Sequence, residues 1–257
     1  MHLPTLARYA GKSLRYPSRA VKNGIAQCKF AMFFDPDVER DRLFTFLAAN
    51  FHVDTDRIHQ EFITSEFPDW MSSRREELAN FPGPYRFAST GQWECEALYY
   101  LVRALEPRTV VETGVAYGAS TSYILEALSH NGGGHLYSID LGNTPDEPPN
   151  DFFLRPGHQD RWTLIIGDSK NELPTLLDKL VEIDHFHHDS LHTHEHMTWE
   201  YKTARDYICS GGALSSDDVG VILDLSKPFE RNPFANFCER QQWAWQSMRN
   251  FGVAIKD

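Results

Sequence analysis

The feature that most constrains the fold is an alternation of short apolar runs with helical segments after residue 86. The runs predict strands at 109–113, 134–140, 162–168, 183–187 and 212–216, with a last strand at 251–255. Segments of helical spacing lie between them, and 233–248 is predicted as one more helix. This spacing is typical of βαβ units, so we predict an α/β fold with a parallel sheet. Ligands then bind beyond the carboxyl ends of the strands.

The chain before residue 86 divides into two parts. Residues 1–34 contain six basic side chains and no acidic one, so this part has a charge of +6. Because the net charge of the whole chain is −11, the remaining residues carry −17. We predict a basic N-terminal arm there, which contacts an anionic membrane surface or a partner; a terminal helix with a solvated face is the alternative. Residues 35–85 are predicted as a helical cap segment, with one helix ending near Leu47 and another over 54–71. Residues 86–257 form the main domain.

Composition excludes several classes of protein. The acidic body would repel phosphate polyanions, so we expect no nucleic-acid partner. No apolar run approaches the roughly 20 residues that a membrane span needs, and no secretory apolar region follows Met1. The four cysteines lie far apart without a C-x-x-C pair, which favours a reducing, cytoplasmic location over a disulfide scaffold. The basic arm would place the protein at the inner membrane face, and we also expect a homo-oligomer.

The first candidate site follows the strand at 109–113. Its sequence is Glu112-Thr113-Gly114-Val115-Ala116-Tyr117-Gly118-Ala119-Ser120. Glycines let the backbone turn tightly beside a ligand, and the next helix offers free N–H groups to an anion. The glycines are four residues apart, which is the spacing of neither a dinucleotide fingerprint nor a P-loop. A simple strand–helix turn is the alternative.

Acidic residues end the next two predicted strands. Asp140 lies 28 residues after Glu112 and can accept hydrogen bonds from a ribose diol. Asp168 and Ser169 end the following strand, where they could bind an adenine edge. Solvent-exposed side chains are the alternative at both places.

Three more acidic residues end the later strands. Asp189 ends the strand at 183–187, and Asp217 with Asp218 ends the strand at 212–216. Because neighbouring parallel strands end at the same edge, the three carboxylates should meet, and they would repel each other unless a cation neutralised them. Oxygen ligands alone suit Mg²⁺ or another divalent cation better than zinc. Acidic loops pointing to solvent are the alternative.

This order of motifs over residues 86–257 resembles the class I S-adenosylmethionine-dependent methyltransferases. The 28-residue separation of Asp189 and Asp217 is similar to that of the metal-dependent, catechol O-methyltransferase-like group. The His188-Asp189-Ser190-Leu191-His192 segment resembles the macrolide and aminocoumarin sugar O-methyltransferases, as does aspartate at 218. The resemblance implies a Rossmann-like, doubly wound, mostly parallel sheet with a final antiparallel edge strand.

The family's roles can be carried over position by position. The cofactor S-adenosylmethionine would be bound by Glu112, Gly114, Val115, Ala116, Tyr117, Gly118, Ser120, Asp140, Asp168, Ser169 and Asp189. The metal would be held by Asp189, Asp217 and Asp218. His192 would take a proton from the substrate hydroxyl, with His188 as the second candidate, and Asp189 would complete the catalytic set. His192 stands where the catechol enzymes have lysine.

The resemblance implies an Mg²⁺-dependent O-methyltransferase that acts on a hydroxyl of a sugar, glycan or small natural product. A phenolic or catechol acceptor is the first alternative. A non-catalytic S-adenosylmethionine-binding protein, or one associated with a hydroxylase, is the second.

A zinc peptidase is a further alternative, because 192–196 matches the pattern H-x-x-E-H. That function would leave the glycine loop and the aspartate pair unexplained.

Overall fold

The structure is a computed structural model that describes residues 35–82, 90–219 and 232–257. The predicted basic arm at 1–34 lies outside these residues, as does part of the predicted boundary near residue 83. In the described ranges, no helix is long and apolar enough to cross a membrane.

A sheet of seven strands forms the centre of the described structure. In chain order the strands are β1 (Thr109–Thr113), β2 (His135–Asp140), β3 (Trp162–Ile166), β4 (Ile183–His188), β5 (Ile208–Ser216), β6 (Ala244–Met248) and β7 (Phe251–Ile255). They lie in the order β3-β2-β1-β4-β5-β7-β6. Strands β1 to β5 are parallel, and β7 is antiparallel to both β5 and β6. The predicted Rossmann-like, mostly parallel sheet is therefore confirmed.

Helices cover both faces of the sheet. In the described ranges they are α1 (Pro36–Phe51), α2 (Thr55–Thr64), α3 (Phe67–Asn80), α4 (Gln92–Leu105), α5 (Ala119–His130), α6 (Ser169–Leu180), α7 (His194–Arg205) and α8 (Pro233–Gln241). Several begin where a side-chain oxygen accepts a hydrogen bond from a free N–H group of the first turn. Asp35, Asp54 and Thr193 cap α1, α2 and α7 in this way.

Two predicted helices differ from the structure. The segment predicted as one helix over 54–71 is two, because Ser65 is extended and Pro68 lies in the first turn of α3, where proline is tolerated. The helix predicted over 233–248 is wrong in its second half. Gln242 adopts a left-handed conformation that ends α8, and the following residues form β6. The edge strand is consequently β6, and the predicted antiparallel strand β7 lies one place inward.

Apolar side chains fill both faces of the sheet. One core includes buried residues of α1 to α5, among them Leu43, Phe62 and Tyr99, so the N-terminal helices share it with the sheet. The other is built by α6, α7 and α8 around Phe186. Strand β1 has β2 on one side and β4 on the other, so the topology switches at its carboxyl end. This is where an open α/β sheet forms its ligand crevice.

Candidate active site

Two glycines with positive φ shape the loop between β1 and α5. Gly114 has φ +85°, and a Cβ there would lie 2.2 Å from the carbonyl oxygen of Asp189. Gly118 has φ +83°, and its Cβ would lie 2.5 Å from the carbonyl oxygen of Asn150. Ala116 between them also has positive φ, at 48°. Both glycines are required, because backbone from two other loops touches this one.

Asp140 ends β2 and binds the glycine loop. Its Oδ2 accepts hydrogen bonds from the backbone N–H groups of Val115 at 2.8 Å and Ala116 at 3.1 Å. Its Oδ1 accepts from the N–H of Gly142 at 2.7 Å and from Asn150 Nδ2 at 3.3 Å. The carboxylate predicted to bind a ribose thus also fixes the loop beside it.

Glu112 and Ser120 bind each other inside the protein. Glu112 is fully buried, and it accepts hydrogen bonds from Ser120 Oγ at 2.6 Å, Thr121 Oγ1 at 2.8 Å and Ser138 Oγ at 2.8 Å. Burial raises the pKa of Glu112 to about 7, although these hydroxyl groups act in the opposite direction. Through these hydrogen bonds Glu112 joins β1 to β2 and to the start of α5.

The remaining predicted cofactor residues lie in three places. Val115 and Tyr117 are buried in the glycine loop. Asp168 is exposed and caps α6 by accepting a hydrogen bond from the N–H of Lys170. Ser169 is buried, and its Oγ lies 3.2 Å from His196 Nε2. Only Asp168 of these four presents its side chain to solvent.

The long segment after Asp140 is held against the glycine loop. Asn143 Nδ2 and Asn150 Nδ2 donate to the carbonyl oxygen of Ala116 at 2.7 and 2.8 Å. Helix α3 holds the same segment from outside, because Trp70 Nε1 donates to the carbonyl oxygen of Phe153 at 3.0 Å. These bonds join the N-terminal helices to the glycine loop.

The structure brings the three predicted metal-ligand residues together. His188 and Ser216 are register partners at the ends of β4 and β5, so Asp189 and Asp217 emerge side by side. Asp217 lies within hydrogen-bonding range of Asp189, and Asp218 follows with φ +56°. A non-glycine residue in this conformation is uncommon and often marks a functional site.

The charges of these carboxyl groups are poorly compensated. Burial raises the pKa of Asp189, and the charge of Asp217 raises it further against the hydrogen bond from Thr90. Burial followed by the charge of Asp218 raises the pKa of Asp217. Burial, followed by the negative charge of Glu94, raises the pKa of Asp218 to about 6. Protons or a cation must therefore neutralise the group.

The donor atoms of these residues suit a metal ion, but their arrangement does not. Three carboxylates are the donors that Mg²⁺ prefers, and Asp217 Oδ1 is buried with no hydrogen-bond partner among the described residues. In those residues, however, no group of three or more histidine, cysteine, aspartate or glutamate side chains has an arrangement that could hold a metal ion. The donor chemistry fits a hard cation, and binding it would require these side chains to reorient.

His192 faces the same carboxylates. Its Nε2 lies 3.5 Å from Asp189 Oδ1 and 3.6 Å from Asp218 Oδ2. Burial lowers the pKa of His192 to about 3, which keeps the imidazole neutral. His188 is fully buried behind it, with the two ring centroids 5.5 Å apart in a T-shaped contact. Of the two candidate bases, His192 is the one whose ring nitrogen faces the carboxylates of Asp189 and Asp218.

The arrangement does not support the zinc-peptidase alternative. That pattern needs both histidines on one helix, but α7 begins at His194, so His192 precedes it. His196 is directed elsewhere, since its Nε2 lies 2.8 Å from Glu200 Oε1.

Sequence reasoning missed two buried acidic residues near the site. Glu94, in the first turn of α4, is 4% exposed, and neither of its carboxylate oxygens has a hydrogen-bond partner among the described residues. Its Oε1 lies 3.4 Å from Arg249 Nε, and its charge acts on Asp217 and Asp218. Glu200 on α7 is fully buried below His188. No motif marks either residue, although Glu200 shares a helical stripe with buried Met197 and Ala204.

Comparison with known proteins identifies the domain. Residues 111–219, which run from β1 past the aspartate pair, match the family model described as a methyltransferase domain. The chain carries a methyltransferase domain. Its match begins just before the glycine loop and includes every predicted cofactor and metal residue. The expected resemblance to class I methyltransferases is confirmed.

Solved structures share the fold of the methyltransferase domain at low sequence identity. The O-methyltransferase from Bacillus cereus in complex with SAH has a TM-score of 0.55 and 17% identity, covering 72% of this chain and 91% of that one. TomG, the O-methyltransferase from Streptomyces achromogenes involved in tomaymycin synthesis and solved with SAM, has a TM-score of 0.56 and 16% identity, covering 73% and 89%. SAH-bound PaMTH1 from Podospora anserina has a TM-score of 0.57 and 16% identity, covering 84% and 94%. A search of curated proteins gives no match.

Proposed function

We propose that this methyltransferase is an S-adenosylmethionine-dependent O-methyltransferase that uses a divalent cation, Mg²⁺ in the first instance, and methylates a hydroxyl of a small molecule. The observation that carries this proposal is the convergence of Asp189, Asp217 and Asp218 with His192 beside the glycine loop. The SAH and SAM bound in structural relatives, and the description of two of them as O-methyltransferases, support it.

The glycine loop and the end of β2 would form the cofactor side. S-Adenosylmethionine supplies an activated methyl group, so the protein needs mainly to orient it. Asp140 already accepts hydrogen bonds from the loop, and its partly exposed carboxylate retains acceptor capacity for a ribose. Glu112 supports the loop from inside, and Asp168 flanks the crevice at the end of β3.

Asp189, Asp217 and Asp218 would hold the cation. A divalent cation held there would act as a Lewis acid and lower the pKa of the acceptor hydroxyl. The raised pKa values of the three carboxyl groups support the proposal, because a cation would relieve the same repulsion that protons relieve here.

His192 would take the proton from the acceptor hydroxyl. The lowered pKa leaves its imidazole neutral, so one ring nitrogen has a lone pair to accept a proton. Its Nε2 is the ring nitrogen near the carboxylates. The hydroxyl oxygen freed of its proton would then attack the methyl carbon in line, the bond between that carbon and the sulfonium sulfur would break, and S-adenosylhomocysteine would leave.

For the acceptor we propose a sugar hydroxyl first and a phenolic diol second, on the resemblance of the His188–His192 segment. We further propose a cytoplasmic location and docking of the basic arm at 1–34 to an anionic surface. Deleting that arm should leave methyl transfer intact while reducing binding to anionic vesicles.

A binding and turnover experiment tests the function. Calorimetric titration of the full chain with S-adenosylmethionine should show binding, and a hydroxyl panel of sugars and phenols should show methyl transfer with Mg²⁺ that EDTA abolishes. Binding without turnover on any acceptor would favour the non-catalytic alternative. Turnover that persists in EDTA would refute the role of the cation.

A further inference from the structure

A fully buried carboxylate on α7 joins the ends of two strands below the site. Glu200 Oε2 accepts a hydrogen bond from Thr113 Oγ1 at 2.6 Å and contacts His188 Nδ1 at 2.5 Å. Its Oε1 accepts from Ser190 Oγ at 2.9 Å and contacts His196 Nε2 at 2.8 Å. Both oxygens therefore have two partners each, and the partners come from the ends of β1 and β4 and from α7 itself.

These contacts determine where the protons of His188 and His196 lie. Burial alone would raise the pKa of Glu200, but hydrogen bonds from His188 and His196 outweigh it and hold that pKa below its usual range. An ionised carboxylate only accepts hydrogen bonds. His188 must consequently carry a proton on Nδ1, and in its neutral form Nε2 keeps a lone pair. That Nε2 is buried and has no partner among the described residues.

His188 in turn supports His192. The two rings meet at 78° in a T-shaped contact, and His192 Nε2 faces the carboxylates of Asp189 and Asp218. His192 Nδ1 is also buried without a partner among the described residues, so no hydrogen bond from them fixes that side of the ring. The ring contact with His188 is therefore the contact through which we expect His192 to be oriented.

We propose that Glu200 is a positioning residue, which fixes His188 in the Nδ1–H tautomer and, through the His188 ring, holds His192 towards the acceptor hydroxyl. The kinetic part rests on the proposed function, whereas the tautomer does not. The arrangement follows the general logic of a carboxylate that orients a histidine without touching the substrate.

The test replaces Glu200 by glutamine in the full chain. Glutamine has one acceptor oxygen where Glu200 has two, so it cannot serve all four donors. Two-bond ¹⁵N–¹H correlation spectra of the imidazole rings report each tautomer directly, with His188 assigned from the spectrum of His188→Gln. We expect a pure Nδ1–H form in the wild type and loss of that form in Glu200→Gln.

Kinetics supply the second readout. We expect kcat to fall roughly 10–100-fold in Glu200→Gln, with KM for S-adenosylmethionine within about threefold of the wild type. Glu126→Gln is the matched control. Glu126 is also a buried helical carboxylate that lies beside two histidines, His130 and His158. It belongs to α5, however, and not to the cluster of Asp189, Asp217 and Asp218. Its kcat should stay within about twofold of the wild type.

The outcomes separate the two proposals. An Nε2–H tautomer of His188 in the wild type overturns the inference, as does a Glu200→Gln enzyme as active as Glu126→Gln. If Glu200→Gln does not fold, the wild-type spectrum still decides the tautomer, and Glu200→Asp, which keeps both oxygens, replaces it in the kinetic test. A chain that transfers no methyl group to any acceptor refutes the proposed function while the tautomer remains measurable.

Discussion

The buried carboxyl group of Glu112 should make the protein less stable at neutral pH than in mild acid. Burial raises its pKa from 4.5 to about 7, against the hydrogen bonds from Ser120, Ser138 and Thr121. A group whose pKa is raised on folding contributes stability below its unfolded pKa and loses it as the pH rises through the folded pKa. The change from 4.5 to about 7 corresponds to roughly 3 kcal/mol of unfolding free energy.

Glutamine copies the shape of the protonated carboxyl group but does not titrate. Glu112→Gln should therefore exceed the wild type only slightly near pH 5 and by up to roughly 3 kcal/mol at pH 8. Urea denaturation at pH 5, 6, 7 and 8, followed by tryptophan fluorescence, measures the difference.

Glu126→Gln provides the contrast for this experiment. Burial would raise the pKa of Glu126, but His158 and Arg155 outweigh it and lower that pKa, so its charge contributes stability above the unfolded pKa and loses it as the pH falls. This variant should lose stability at neutral pH. A difference between Glu112→Gln and the wild type that is constant from pH 5 to 8, or that grows towards acid, would refute the reasoning.

Three further predictions concern the site. Gly114→Ala should lose more than about 2 kcal/mol of stability, because its Cβ would meet a backbone oxygen. Gly132 also has a positive φ, at +74°, but a Cβ there would meet nothing within 4 Å, so Gly132→Ala should lose only about 1–2 kcal/mol. Chemical denaturation of both variants measures the difference. Asp217→Asn should remove the increase in melting temperature that Mg²⁺ gives the wild type but keep the one given by S-adenosylmethionine; an equal Mg²⁺ effect in both proteins would contradict the cation role. His192→Ala should lower kcat by roughly 10²–10⁴, and an unchanged kcat would assign proton removal to another group.

The sequence predicted those parts of the site that follow from strand ends. Parallel neighbours end at one edge, so the meeting of Asp189 with Asp217 followed from the order of strands once β4 and β5 were recognised. Glycine spacing likewise indicated the tight loop, although only the structure shows that Gly114 is required by contact with Asp189.

What could not be predicted depends on helices packing across the sheet. Glu94 lies in a helix whose other buried residues are mostly apolar, and nothing local distinguishes a carboxylate that faces the site from one in water. The strand β6 was missed because aromatic residues such as Trp243 and Trp245 suit a helix as well as a strand. The turn at Gln242, a residue without special turn propensity, decides between them.

The place of β7 has a consequence for the order in which the site is assembled. Strand β5, which ends just before Asp217, has β4 on one side and β7, residues 251–255, on the other. While a ribosome is making the residues after Asp217, β5 is an open edge with unpaired backbone groups. Two of the three carboxylates, those of Asp217 and Asp218, therefore have no finished support until β7 has been synthesised and inserted between β5 and β6. Ribosome-stalled chains that end before residue 251 should show no Mg²⁺-dependent methyl transfer, and this activity should appear once β7 has left the exit tunnel.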